Sequence, residues 1–328
     1  MLSFGVSFAD ANLTGFFQIG TNNNKITSTT GTTSTTTTLA DSNANTALNF
    51  TDVEDLGDGL KVTTNIGLLP AIDSTNTAGG QTTYAALSGG FGELKAGKFG
   101  NDQFWTVVAG DSTGYMGSNA AVVNLAYGTS SDGATVGTYE VWTANQVRYQ
   151  LPTFVPGLTL AYTTKLGGQT TSFGGAETVT GAYTTGAFNA QLTATQYKGA
   201  VGSTDTLTGI AASYDFGVAK LYLLSTSAKI DGEGTVSGRN IGVSAPLGAF
   251  TFMYNNSSAD GNLYQRNITA VDQTSQDLGV TYAFSKKTTA WVLFTKYKGA
   301  TGGQGTAAAN VSSDSGFDSL RVMLTHSF

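Results

Sequence analysis

Between residues 60 and 68 the side chains alternate: Leu60, Val62, Ile66 and Leu68 are apolar, and Lys61, Thr63, Asn65 and Gly67 between them are polar or small. The same period of two runs through 277–284, where Leu278, Val280, Tyr282 and Phe284 alternate with Asp277, Gly279, Thr281 and Ala283. It recurs in SLRVMLTHSF, with Leu320, Val322, Leu324, His326 and Phe328 on one side and Ser319, Arg321, Met323, Thr325 and Ser327 on the other. Alternation at this period predicts β-strands with one greasy face and one face fit for water. Sixteen such runs can be marked, at 11–20, 45–52, 59–69, 80–88, 91–99, 143–150, 157–166, 175–185, 188–198, 206–215, 218–228, 238–245, 249–256, 274–284, 288–297 and 319–328. In a soluble sandwich the greasy faces would look into a core, whereas in a membrane barrel they would look into lipid.

The connections favour the barrel. Long ones, at 21–44, 70–79, 100–142, 167–174, 199–205, 229–237, 257–273 and 298–318, alternate with tight turns such as Gly89-Gly90, Asp215-Phe216-Gly217 and Pro246-Leu247-Gly248. A sandwich has no reason to keep its long loops at one end of every hairpin. A barrel with short periplasmic turns and long external loops does. The Thr-rich stretch Lys25 to Thr46 is low in complexity and too poor in apolar surface to fix itself, so it is read as a mobile external loop. Aromatics near strand ends, at Tyr149, Phe154, Tyr162, Phe216, Tyr254, Tyr282, Phe284 and Phe328, are expected at the membrane interfaces.

Composition sharpens this reading. Of 328 residues, 12% are charged, against roughly 25% in soluble domains. Yet no run approaches the ~18 consecutive apolar residues of a spanning helix. The predicted architecture is therefore an all-β, transmembrane, antiparallel barrel of about sixteen strands, one domain over 10–328. Residues 1–9 are set apart: Ser7, Phe8 and Ala9 read as the small-any-small pattern before an export-signal cut, but a positively charged start is missing. They are either the remnant of such a signal or a plain N-terminal extension.

A net charge of −6 and the lack of a basic stripe argue against a nucleic-acid partner. With no cysteine and a single histidine, no cofactor or structural metal is expected, although loop aspartates could hold Ca²⁺ incidentally. His326 falls on the lipid-facing side of the last strand with no nucleophile and orienting acid in the pattern around it, so no enzymatic role is expected.

Several segments together resemble a known family. LTGF at Leu13–Phe16, LNFTDVEDLGDGLKV at Leu48–Val62, YAALSGGFGELKAGK at Tyr84–Lys98, RYQLPTFVPGLTLAY at Arg148–Tyr162, LGVTYAFSKKT at Leu278–Thr288 and the terminal VMLTHSF are similar to the general porins of the Gram-negative outer membrane, in particular the betaproteobacterial type. The resemblance lapses in the long loops. It implies a sixteen-stranded barrel, usually a homotrimer in contact with lipid and lipopolysaccharide, whose third external loop folds into the lumen. Here that loop is the connection 100–142, the longest in the chain. The implied activity is passive diffusion of small hydrophilic solutes and ions. A channel dedicated to one solute, or a surface barrel with an adhesive role, is the alternative. Phe328 looks like the signal that docks the last strand on the outer-membrane assembly machinery and closes the barrel beside the first strand.

Such porins resemble one another in setting basic wall residues against acids of the inserted loop. By parity, Lys61 and Arg148 point into the lumen. Lys98 stands where the family commonly carries an arginine, but alternation groups it with Leu94 and Ala96, so it reaches the pore only if the strand ends or bulges there. Of the loop acids Asp102, Asp111, Asp132 and Glu140, the first two are favoured as lying nearest the loop's start. Lys165, Lys220 and Arg321 are further candidates for a basic track along the wall. The chain departs from the family in lacking a PEF-type loop signature and in its few arginines. Basic residues predominate among the predicted wall positions, which points to weak anion selectivity.

Overall fold

A computed structural model describes residues 12–27, 33–40, 46–70, 79–114, 116, 142–166, 173–199, 204–232, 234–263, 268–298 and 316–328. The segment 1–9 lies outside these residues. The strands are β1 (Asn12–Thr27), β2 (Thr33–Ala40), β3 (Ala47–Gly57), β4 (Leu60–Leu69), β5 (Gly79–Gly89), β6 (Gly92–Gly100), β7 (Trp142–Gln150), β8 (Leu158–Leu166), β9 (Phe173–Thr185), β10 (Phe188–Gly199), β11 (Thr204–Asp215), β12 (Lys220–Ile230), β13 (Gly234–Leu247), β14 (Phe250–Leu263), β15 (Ile268–Ala283), β16 (Thr288–Lys298) and β17 (Gly316–Ser327). A short helix, α1 (Asp102–Ala109), follows β6.

Every strand pairs antiparallel with its neighbours, and β17 pairs with β1 from Phe16↔Ser327 to Thr27↔Gly316, which closes the sheet on itself. Beside β1, two strands share one place: β3 pairs with Asn12–Phe16 and β2 with Gly20–Thr27. Seventeen strands therefore fill sixteen positions around the barrel. Closure gives each of the sixteen positions around the wall a neighbour on both sides, so the backbone groups there find partners within the sheet, as a wall in hydrocarbon requires.

The faces are inverted relative to a soluble protein. Ile66, Leu278 and Val322 are 53%, 61% and 47% exposed on the outer surface, while their neighbours Asn65, Asp277 and Arg321 are 6%, 0% and 2% exposed inside. All eight girdle aromatics lie on the exposed side. An apolar band covering a whole barrel is untenable in water and stable in a bilayer. Among the described residues no helix is long and apolar enough to cross a membrane.

Two features differ from the sequence reading. The Thr-rich stretch is not simply a loop: β1 continues to Thr27 and β2 runs from Thr33 to Ala40 as its hairpin partner. Threonine is β-branched and suits an extended backbone, and β1 offers it a ready ladder. The connections read at 229–237 and 257–273 shrink because β13 starts at Gly234, β14 runs to Leu263 and β15 starts at Ile268. Above the lipid band both faces are polar, so alternation fades while hydrogen-bonded pairing continues.

Candidate functional site

The chain leaves β6 at Gly100 and turns into the lumen. Asn101 caps α1 by accepting the Gln103 backbone N–H at 2.8 Å, and Asp102 supplies negative charge to the first turn. Both features favour a helix start. Gln103, Phe104, Thr106 and Val107 bury one face of α1, which lies against β10, β11 and β12. The wall meets it with polar side chains. Gln103 Nε2 donates to Thr195 Oγ1 at 2.5 Å, and its Oε1 accepts from Thr193 at 2.9 Å. Gln191 Nε2 donates to Thr106 Oγ1 at 2.9 Å.

Beyond α1 the segment stays on the wall. Asn240 Nδ2 donates to the Gly110 carbonyl at 2.7 Å, and Asn255 Nδ2 donates to Asp111 Oδ1 at 2.7 Å. Ser112 Oγ donates to Asn255 Oδ1 at 2.9 Å. Gly110 is required here because a Cβ would sit 2.6 Å from Leu224 Cβ and 2.9 Å from the Leu223 carbonyl. Further on, Arg321 Nη1 on β17 donates to the Met116 carbonyl at 2.7 Å. The contacts of Asp102–Ser112, and again of Met116, thus follow the inner surface from β7 round to β17.

Of the predicted site residues, Arg148 and Asp102 come together. Arg148 Nε lies 3.5 Å from Asp102 Oδ2, which also accepts the hydroxyls of Thr163 at 3.2 Å and Thr180 at 2.9 Å. Asp111 is buried, and its Oδ1 accepts from Asn255, the Thr113 N–H and the Thr113 hydroxyl, so it fastens the segment to the wall. Arg321, also buried, fastens the other end. Lys61 has the lumen parity of Asn65 but stands one residue into β4 beside the Asp58-Gly59 turn, at the periplasmic mouth. Lys165 faces inward in register with Gln146, and Lys220 faces inward near the 216–219 turn. Asp132 and Glu140 lie outside the described residues.

Lys98 does not turn inward. A bulge does occur here, since Gly97↔Gln146 is followed by Phe99↔Thr143. The extra residue belongs to β7, where Asn145 has φ 58°, so β6 keeps its alternation. Phe99 is the next inward residue, and the Lys98 ammonium donates to the Gly80 carbonyl at 2.6 Å instead. The lysine of β6 that faces the lumen is Lys95, which the sequence reading passed over. It sits opposite both Ala86 and Arg148, with its ammonium 4.8 Å from the centre of the Tyr84 ring and 3.3 Å from Glu93 Oε1. Its place between Leu94 and Ala96 was the available signal.

At the seam, Phe328 N–H donates to the Gly15 carbonyl at 3.1 Å and Gly15 N–H to the Phe328 carbonyl at 3.3 Å. His326 Nδ1 lies 2.9 Å from the Thr288 hydroxyl, beside the short 284–287 turn at the periplasmic rim. Among the described residues no three His, Cys, Asp or Glu side chains gather as a metal site.

Comparison with known proteins agrees with this geometry. The chain is similar to an anion-selective porin from Comamonas acidovorans, with 23% identity over 97% of this chain and 99% of that one and a TM-score of 0.74. It is similar to Salmonella typhi OmpF in complex with daunomycin, at 13% identity, 97% coverage of each chain and a TM-score of 0.72. The outer membrane channel DcaP of Acinetobacter baumannii shares 14% identity over 98% of this chain and 99% of that one, with a TM-score of 0.67. Comparison with curated protein sequences finds no match. At these identities the structural likeness shows the barrel; the sequence profile of the Gram-negative porins, matching residues 2–303, shows the lineage. The chain belongs to the Gram-negative porins, channels of the outer membrane.

Proposed function

We propose that this porin is a general diffusion channel for small hydrophilic solutes and ions, with weak anion preference. The observation that carries this is the run of inward cations over β4 to β8: Lys61, Lys95, Arg148 and Lys165. Wall acids stand against two of them, Asp55 opposite Lys61 and Glu93 3.3 Å from Lys95, and the acids of the inserted segment offset the others only in part. Asp102 is engaged by Arg148 and two threonine hydroxyls, and Asp111 is turned into the wall. Charges lining the narrowest part of a pore set its ion preference, whereas charge on the outer loops acts through more water and salt. The net −6 of the chain therefore does not fix the sign.

In this reading the Asp102–Arg148 contact is the constriction, α1 narrows the lumen from the β10–β12 side, and passage requires no cofactor and no chemistry. The working assembly is a homotrimer, with lipid and lipopolysaccharide against the outer band. The outer-membrane assembly machinery reads the last strand and Phe328. Planar-bilayer recording tests the proposal: conductance in steps of three and a reversal potential of anionic sign in a salt gradient are expected. A cation-selective reversal potential overturns the assignment of the sign.

A further inference from the structure

Below α1, on the periplasmic side, the lumen contains a cavity of about 620 Å³. Its roof is the last turn of α1, with Val108 and Ala109 partly exposed, and its walls are the periplasmic ends of β9 to β12. Asn189, Asp215, Lys220 and Tyr222 project into it. Lys220 and Asp215 are directly opposed across the β11–β12 ladder, yet among the described residues no ion pair joins them. The Lys220 ammonium lies over the Tyr222 ring, 5.0 Å from its centre, while Asp215 Oδ1 accepts the Gly217 N–H at 2.7 Å.

Two opposite charges that line one cavity without closing on each other leave a fixed dipole facing water. A solute of the complementary dipole gains two charge-assisted contacts at once, which a simple anion or cation does not. The last turn of α1, which roofs the cavity, carries no basic side chain that would compete with an ammonium there. Val108, Ala109 and the Tyr222 ring supply an apolar surface beside the charges.

Resting on the reading of the lumen as an open channel, we infer that this cavity is a docking subsite for zwitterions with an apolar or aromatic body. The carboxylate of such a solute meets Lys220, its ammonium meets Asp215 and its side chain lies under α1. The site lies past the constriction for a solute entering from outside, so it holds molecules that have already been admitted.

Single-channel recording with L-phenylalanine, phenylacetate and phenethylamine, each added at equal concentration to either compartment, tests this on the unaltered protein. L-phenylalanine should produce resolved current interruptions, more often from the periplasmic side, while the anion and the cation of the same ring should produce interruptions about tenfold shorter. Lys220→Gln and Asp215→Asn should each shorten the L-phenylalanine events by about the same factor. Phenylacetate events as long as those of L-phenylalanine, or no change in Asp215→Asn, overturn the zwitterion assignment. Conduction without any interruption overturns the subsite while leaving the channel reading intact, and absence of conduction overturns the channel reading itself.

Discussion

Lys95 and Arg148 stand directly opposite each other across the β6–β7 ladder, both on the lumen side. Like charges in that position weaken a strand pair. Each is partly balanced, Lys95 by Glu93 at 3.3 Å and Arg148 by Asp102 at 3.5 Å, but both acids come from the same confined wall and inserted segment. A fold selected for stability alone has little reason to keep two cations there. The anion-preferring channel proposed above does.

Neutralising the pair should therefore reduce anion preference. Lys95→Gln and Arg148→Gln are each expected to lower the anion-to-cation permeability ratio by up to about fivefold, the factor set by about 1 kcal/mol for a unit charge some 4 Å away in water. Lys61→Gln, at the periplasmic mouth, should act more weakly, and Lys98→Gln, pointing outward, should leave the ratio unchanged. The shifts should shrink on going from 0.1 M to 1 M salt, as the screening length falls from about 10 Å to about 3 Å. A double variant at Lys95 and Arg148 with the wild-type reversal potential would sink the assignment.

Asp102→Asn should do the opposite. The amide oxygen can still accept the Thr163 and Thr180 hydroxyls, so the start of α1 stays in place while the negative charge beside Arg148 is removed. Anion preference rises. If reversal potentials instead move toward cations, Asp102 does not act on the permeation path through its charge.

The wall contacts of the inserted segment predict a change in noise rather than in selectivity. Asn255→Ala removes the Nδ2 donor to Asp111 and the acceptor of Ser112. Losing partners for a buried carboxylate costs about 1–3 kcal/mol, spent locally on the hold of residues 110–113. Open-channel current noise should increase, and Asn240→Ala, which frees the Gly110 carbonyl, should add less than its separate effect when combined, because both act on one contact network. Quiet channels in Asn255→Ala would show that the anchor lies elsewhere.

How much of this was legible in the sequence depends on what each feature is made of. Strands facing lipid announce themselves because Leu278, Val280 and Tyr282 alternate with Gly279 and Thr281. The outer extension of β14 through Ser257–Asp260 does not, because the outward Ser258 and Asp260 are polar like the inward Ser257, so the two faces no longer contrast although the backbone pairing continues. Lys95 was readable by the same parity that assigned Arg148; the family comparison drew attention to Lys98 instead. The anchoring of Asp111 was not readable at all, since its partner Asn255 is 144 residues away and only closure of the barrel brings the two together.

The seam offers a separate test of closure. Phe328 and Gly15 exchange both backbone hydrogen bonds, extending the β1–β17 register by one residue, and the Phe328 ring lies over Gly15, where a glycine leaves it room. Phe328→Ala keeps the backbone pair, whereas Phe328→Pro removes the N–H that reaches the Gly15 carbonyl and leaves that acceptor without a donor at the end of the seam. In detergent-refolded protein the proline variant should lose about 0.5–1.5 kcal/mol relative to the alanine variant, seen as a lower midpoint in heat or denaturant. In cells the ranking separates backbone from ring. If the assembly machinery reads the aromatic, the alanine variant should reach the outer membrane in reduced amount despite its intact seam; if it arrives at the wild-type level, the backbone pair at Gly15 is the whole contribution of Phe328.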